Sequence, residues 1–111
     1  MAFFRTADLP GVEMLPGVTR RAVWLEGVMM TFFEFEPGST VPEHSHPHEQ
    51  IGTCLEGKGV MTSAGEACNI VKGSTWTIPG EEEHMFEALD EPVLVLEVWS
   101  PPREDYRKLA E

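Results

Sequence analysis

The chain predicts an all-β protein with a closed or double-sheet antiparallel fold, and three features carry that expectation. Short runs rich in β-branched and aromatic residues recur along it. Between them sit the turn-forming stretches EPG, LEGKG, SAGE, VKGS, IPGE and DEP. The 111 residues leave room for one hydrophobic core, so residues 1–111 are expected to form a single domain. No internal repeat, linker or low-complexity segment interrupts the pattern.

RAVWLE (Arg21 to Glu26) opens the series of strands. VMMTFFEFE (Val28 to Glu36) is apolar on both faces early and polar at Glu34 and Glu36, which assigns Met29, Met30, Phe32, Phe33 and Phe35 to core and interface rather than to a cofactor pocket. EQIGTCLE (Glu49 to Glu56) follows, then the short runs GVMTS, EACNIV and STWTI, then EHMFEAL and PVLVLEVW. Only YRKLAE, at the end, looks helical. In VLVLEVW, alternation places Val93, Val95, Glu97 and Trp99 on one face, opposite Leu94, Leu96 and Val98.

A charge on an apolar strand is costly to bury unless it is paired or used. Two readings of Glu97 follow: it ends the strand in water with Trp99 in core or interface, or both side chains face the interior. Arg103 lies in SPPRED, where Pro101 and Pro102 stiffen the chain. It either approaches the mouth of the fold or makes an exposed ion pair with Glu104 or Asp105, which would contribute little. Arg20 and Arg21 are expected at the surface, and Glu81, Glu82 and Glu83 in a solvated turn. Cys54 and Cys68 occur singly, without a CxxC pair, so no structural disulfide is expected. Cys54 shares strand parity with Gln50, yet a small buried thiol is the favoured reading over a cavity-facing one.

The stretch GSTVPEHSHPHEQIGTCLEG (Gly38 to Gly57) concentrates His44, His46, His48, Glu49 and Gln50. On an extended strand, residues two apart share a face, so His44, His46, His48 and Gln50 can converge on one ion. His84, in IPGEEEHMF, is the fourth histidine of the chain. Pro47 bends the path just before His48, and a fourth imidazole would be surplus. The expected metal site is therefore His44, His46, Gln50 and His84, a neutral donor set suited to zinc, nickel, manganese or iron as one divalent ion. The alternative is a solvated histidine loop punctuated by prolines.

These residues resemble the cupins, whose first motif reads G(x)5HxH(x)3-4E(x)6G and second G(x)5PxG(x)2H(x)3N. Gly38, His44, His46 and Gly57 match the first, with Gln50 in place of the glutamate. Gly73, Pro79 and His84 match the second, while Gly80 falls one position early and Ala88 replaces the asparagine. The resemblance implies a jelly-roll β-barrel with its core at about residues 20–100. LEVWSPPREDY (Leu96 to Tyr106) is similar to the SPxRED ending of the KdgF-type pectin-degradation cupins, in which HxHxHEQ with a glutamine ligand also recurs.

That narrower resemblance implies an enzyme, dimeric by the family's habit, that opens unsaturated uronate rings to linear keto-uronates. It places Arg103 on the substrate carboxylate and Glu97, at a position usually held by aspartate, as the group that shuttles the proton. Trp99, where phenylalanine is usual, would stack on the sugar ring. Two other outcomes stay open: an iron-dependent cupin dioxygenase, and a non-enzymatic sugar-binding or sensing cupin. The formal charge of −11 opposes nucleic acid and anionic membrane as partners, leaving a small molecule, a sugar acid, as the expected one. A bound cation and one arginine can reverse the potential locally. The first residues carry no apolar segment long enough for a signal peptide, and no run approaches a membrane span, which makes the cytoplasm the expected compartment.

Overall fold

A computed structural model describes the backbone of residues 1–110 and the side chains of residues 1–108. Ten strands follow a short 3-10 turn at Thr6–Asp8. They are β1 (Val12–Leu15), β2 (Val18–Trp24), β3 (Met29–Phe35), β4 (Thr40–His44), β5 (Glu49–Glu56), β6 (Gly59–Ser63), β7 (Glu66–Ile70), β8 (Thr75–Ile78), β9 (His84–Ala88) and β10 (Val93–Ser100). Helix α1 (Glu104–Ala110) closes the described chain. The strands form a six-stranded sheet ordered β1-β2-β3-β10-β5-β8 and a four-stranded sheet ordered β4-β9-β6-β7, every pairing antiparallel. This is the jelly-roll arrangement expected from the sequence. Among the described residues, no helix is long and apolar enough to cross a membrane.

Alternation sets what lies between the sheets. β3 buries Met29, Thr31, Phe33 and Phe35, and β10 buries Val93, Val95 and Trp99. From the smaller sheet, Met61, Ile70, Phe86 and Ala88 meet them in one continuous core. Cys54 belongs to that core and Cys68 is exposed, so neither is bridged.

The strand runs read from the sequence coincide with β5 and β6 and fall within a residue or two of β3, β7, β8, β9 and β10. Three elements differ. β2 begins at Val18 rather than Arg21, and β1 and β4 form where no strand was expected. β4 contains Pro42, which cannot donate to a ladder, and the fold places it at the edge of the smaller sheet, where one side of the strand needs no partner. The expected helix 106–111 begins two residues earlier, and its last residue, Glu111, lies outside the described residues. Glu104 and Asp105 occupy the first turn of α1 and Arg107 and Lys108 the last, as the helix dipole favours.

The early start of β2 corrects one expectation outright. Arg20 is wholly buried, on the inward face with Val18 and Ala22, while Arg21 points outward and pairs with Glu34. Position parity explains the split between two adjacent arginines that are indistinguishable by composition.

Candidate metal centre

Two cross-strand pairs face each other at one end of the barrel. On the smaller sheet, His44 of β4 is the register partner of His84 of β9, and their ring centroids are 4.3 Å apart. On the larger sheet, Gln50 of β5 is the partner of Trp99 of β10. His46 bridges them from the connection 45–48, which is not a strand. The single extended strand expected to carry His44 through Gln50 is therefore broken, because Pro47 and the passage from one sheet to the other fall inside it. The backbone carbonyl of His46 accepts a hydrogen bond from the amide of Glu81 at 2.7 Å, fixing the connection against the turn before β9.

The imidazole donor atoms of His44, His46 and His84 lie within 4.8 Å of one another. Each ring offers its Nδ1 to a backbone carbonyl: His44 to Pro42 at 2.9 Å, His46 to His48 at 3.0 Å, His84 to Glu82 at 2.8 Å. A carbonyl only accepts, so each Nδ1 carries the proton and each Nε2 keeps its lone pair. This is the orientation that ligating histidines need. His46 Nε2 and Gln50 Oε1 are buried without a hydrogen-bond partner among the described residues. Two buried acceptors without partners beside a histidine cluster are donors that a cation would satisfy, and the donor set fits a divalent transition metal. Burial first, then the nearby charges of Arg103 and His84, lower the pKa of His46 to about 4, and burial also lowers that of His84. Both rings are neutral at pH 7, the form that binds metal. His48 is half-buried and stands outside the cluster.

Glu97 lies one same-face step deeper than Trp99, on the wall of a cavity that His44, Gln50, His84, Trp76 and Trp99 also line. Its Oε2 accepts from Gln50 Nε2 and from Trp76 Nε1, the latter at 3.4 Å. The first sequence reading, a strand end in water, does not hold for this residue. Although part of Glu97 remains open to the cavity, burial of the carboxyl raises its pKa to about 7 against the opposing pull of the Trp76 and Gln50 hydrogen bonds and of Arg103.

The sequence reading missed Trp76, and the reason is local. Gly52 is the register partner of both Glu97 and Trp76, and a Cβ there would lie 2.4 Å from Trp76 Nε1. The indole crosses the strand through the space that glycine leaves. An aromatic opposite a strand glycine was the available signal. Thr31 was missed too: it is fully buried and accepts from Trp99 Nε1 at 2.9 Å, fixing the indole. Trp99 is only 2% exposed, with its ring against His46 at 5.2 Å and Tyr106 at 5.7 Å.

Arg103 packs over Tyr106 at 3.9 Å and over Trp99 at 5.1 Å. Its Nε and Nη2 donate to Asp105 at 3.2 and 2.8 Å. The ion-pair reading of this residue holds, with Asp105 as the partner, while its guanidinium stacks on two aromatic residues that line the cavity. The turn 81–83 also does more than face solvent. Glu82 orients His84 through its carbonyl and accepts from Ser63 through its carboxylate. Glu81 stands where the second motif has glycine and adopts φ 68, the left-handed conformation glycine favours, while a Cβ on Gly80 would lie 2.5 Å from the Pro47 carbonyl oxygen.

A jelly roll holding three convergent histidines at one end defines a metal-binding cupin, and the family model described as a cupin domain matches residues 31–99. The chain belongs to the cupin family. It is 26% identical over 106 residues to the pectin degradation protein KdgF of Dickeya dadantii, covering 94% of this chain and 96% of that one. The structure of KdgF from a Halomonas species matches with a TM-score of 0.89 at 27% identity, covering 96% of this chain and 98% of the other. A stretch of 58 residues is 38% identical to the HTH-type transcriptional regulator PuuR of Escherichia coli, covering 51% of this chain and 31% of the regulator.

Proposed function

We propose that this chain is a metal-dependent enzyme that opens the ring of an unsaturated uronate to a linear keto-uronate. The observation that carries this reading is Glu97: a carboxyl that titrates near neutrality, on the wall of the cavity that His44, His84 and Gln50 also line, with His46 completing the histidine cluster. The near full-length similarity to two proteins named KdgF supports it.

A divalent ion held by those four residues would act as a Lewis acid toward hydroxyl and carbonyl oxygens. Glu97 takes the proton of the anomeric hydroxyl, the bond between the anomeric carbon and the ring oxygen breaks, and the ring oxygen keeps the electron pair as part of an enolate. The same carboxyl then returns the proton to the enol carbon, giving the linear keto form. Atoms balance and no electron leaves the substrate. Trp76 and Gln50 both bond Oε2, which leaves Oε1 for the transfer. Arg103 presents positive charge to the substrate carboxylate at the mouth, and Trp99 forms the aromatic wall beside the sugar. A second copy of the chain would cover the apolar outer face of Met30, Phe32, Ile51, Leu96 and Val98.

The test is the loss of conjugated ultraviolet absorbance from unsaturated galacturonate or mannuronate monomer, with metal-loaded and metal-stripped protein, in air and without oxygen. Equal aerobic and anaerobic rates, abolished by metal removal, are expected. Glu97→Gln should lower kcat roughly a hundredfold or more while leaving KM nearly unchanged. Strict oxygen dependence would replace this reading with a dioxygenase, and sugar binding without turnover with a sensor.

A further inference from the structure

The buried guanidinium of Arg20 has no role in the chemistry above. It is fully buried, and none of Nε, Nη1 and Nη2 has a hydrogen-bond partner among the described residues. A guanidinium stays charged in a protein, so burying it without an anion is unfavourable. The contact it does make is with the face of Tyr106, 4.3 Å from the ring centroid. The opposite situation holds at Arg103, whose fork is already engaged by Asp105. Two guanidinium groups thus share one aromatic ring, and one carboxylate is paired between them.

Position relates Arg20 to the cavity. Its register partner Phe33, its same-face neighbour Val18 and its stacking partner Tyr106 all line the cavity wall. Arg20 itself stands directly behind that wall. Ala22 shares its row with Thr31 and Glu97, so Arg20 lies one same-face step, about 7 Å along the strand, from the row of Glu97. β3 lies between β2 and β10, so about 10 Å across the sheet also separates the two residues, a gap that the long Arg20 side chain narrows toward a ligand whose reacting end is at Glu97.

We propose that Arg20 is a carboxylate-binding residue of this cavity, screened by Tyr106, and that an anionic ligand reaches its unoccupied fork when the Tyr106 ring gives way. Arg103, at the mouth, attracts the anion; Arg20, inside, holds it in a bidentate pair. Tyr106 is carried on α1, a two-turn helix at the end of the described chain, and that is the element whose displacement opens the path. The assignment rests on the uronate reading for the identity of the ligand, although the group recognised is the carboxylate.

The experiment uses metal-loaded protein and two stable probes, galacturonate and galactose, which differ by a carboxylate in place of a hydroxymethyl group. Binding is read by calorimetry, and melting temperature is recorded for each variant. Wild type should prefer galacturonate by roughly tenfold or more. Arg20→Met should erase that preference while its melting temperature stays level or rises, because a buried unpaired charge is replaced by an apolar chain of similar length. Arg20→Lys should retain part of the preference, and serves if the methionine variant fails to fold. A full preference for galacturonate in Arg20→Met or Arg20→Lys, or none in wild type, overturns the assignment. Ring opening with unchanged KM in Arg20→Met would remove Arg20 and leave the uronate reading intact. Arg20-dependent galacturonate binding without ring opening of any unsaturated uronate would do the reverse.

Discussion

Glu97 holds its proton more tightly in the folded chain than in the unfolded one, since burial lifts its pKa from 4.5 to about 7. Between those values the native state binds a proton that the unfolded state has released, so stability contributed by this group is present at low pH and lost as pH rises through 7. In metal-free protein, urea unfolding of wild type and Glu97→Gln should show the wild-type advantage shrinking from pH 5 to pH 8. A difference that does not change over this range would mean the carboxyl is not buried as described. At the candidate metal centre, His46 and His84 each offer one donor atom, and their Nδ1 protons are held by carbonyls. Substituting either by alanine should lower metal affinity by more than the 10- to 100-fold typical of losing an outer hydrogen-bond partner. Elemental analysis after dialysis should find about one ion per chain in wild type and almost none in either variant.

Between strands, the decisive contact is β5 with β8, where Gly52 lets Trp76 reach Glu97. Gly52→Ala should force the indole aside, cost roughly 1–3 kcal/mol of stability by denaturant unfolding, and reduce ring opening. Wild-type stability with a full rate in that variant would show that Trp76 is a bystander. At this scale the sequence was legible where period and composition agreed: EQIGTCLE and GVMTS became β5 and β6 with unchanged ends. Legibility failed at β4, whose Pro42 is a breaker by local rule and is tolerated only because tertiary structure puts it at an edge. The histidine spacing pointed to side chains that do converge, His44, His46 and His84, but through an incomplete picture. His44 and Gln50 sit on different sheets, and convergence comes from the chain crossing between them rather than from one strand's alternation. Arg20 could not be separated from Arg21 because the start of β2, and hence its parity, depends on pairing with β1 and β3.

For the molecule as a whole, a formal charge of −11 acts against the small anion proposed as substrate. Added salt screens that repulsion over a Debye length of about 10 Å at 0.1 M. The kcat/KM for an unsaturated uronate should therefore rise severalfold from low to moderate ionic strength. A fall would mean that local positive charge at Arg103 and the metal dominates capture. The same centre has a further effect through its placement on both sheets. His44 and His84 belong to the four-stranded sheet, Gln50 to the six-stranded one, and His46 to the link between them. An ion gripped by all four would fasten the two halves of the sandwich at the rim, like a rivet through overlapping plates. Its departure would unfasten the open end first, so that backbone amides of β4, β9 and the 45–48 link exchange with solvent sooner than those around Phe35 and Val93, and the protein's metal supply would set how long its shape endures.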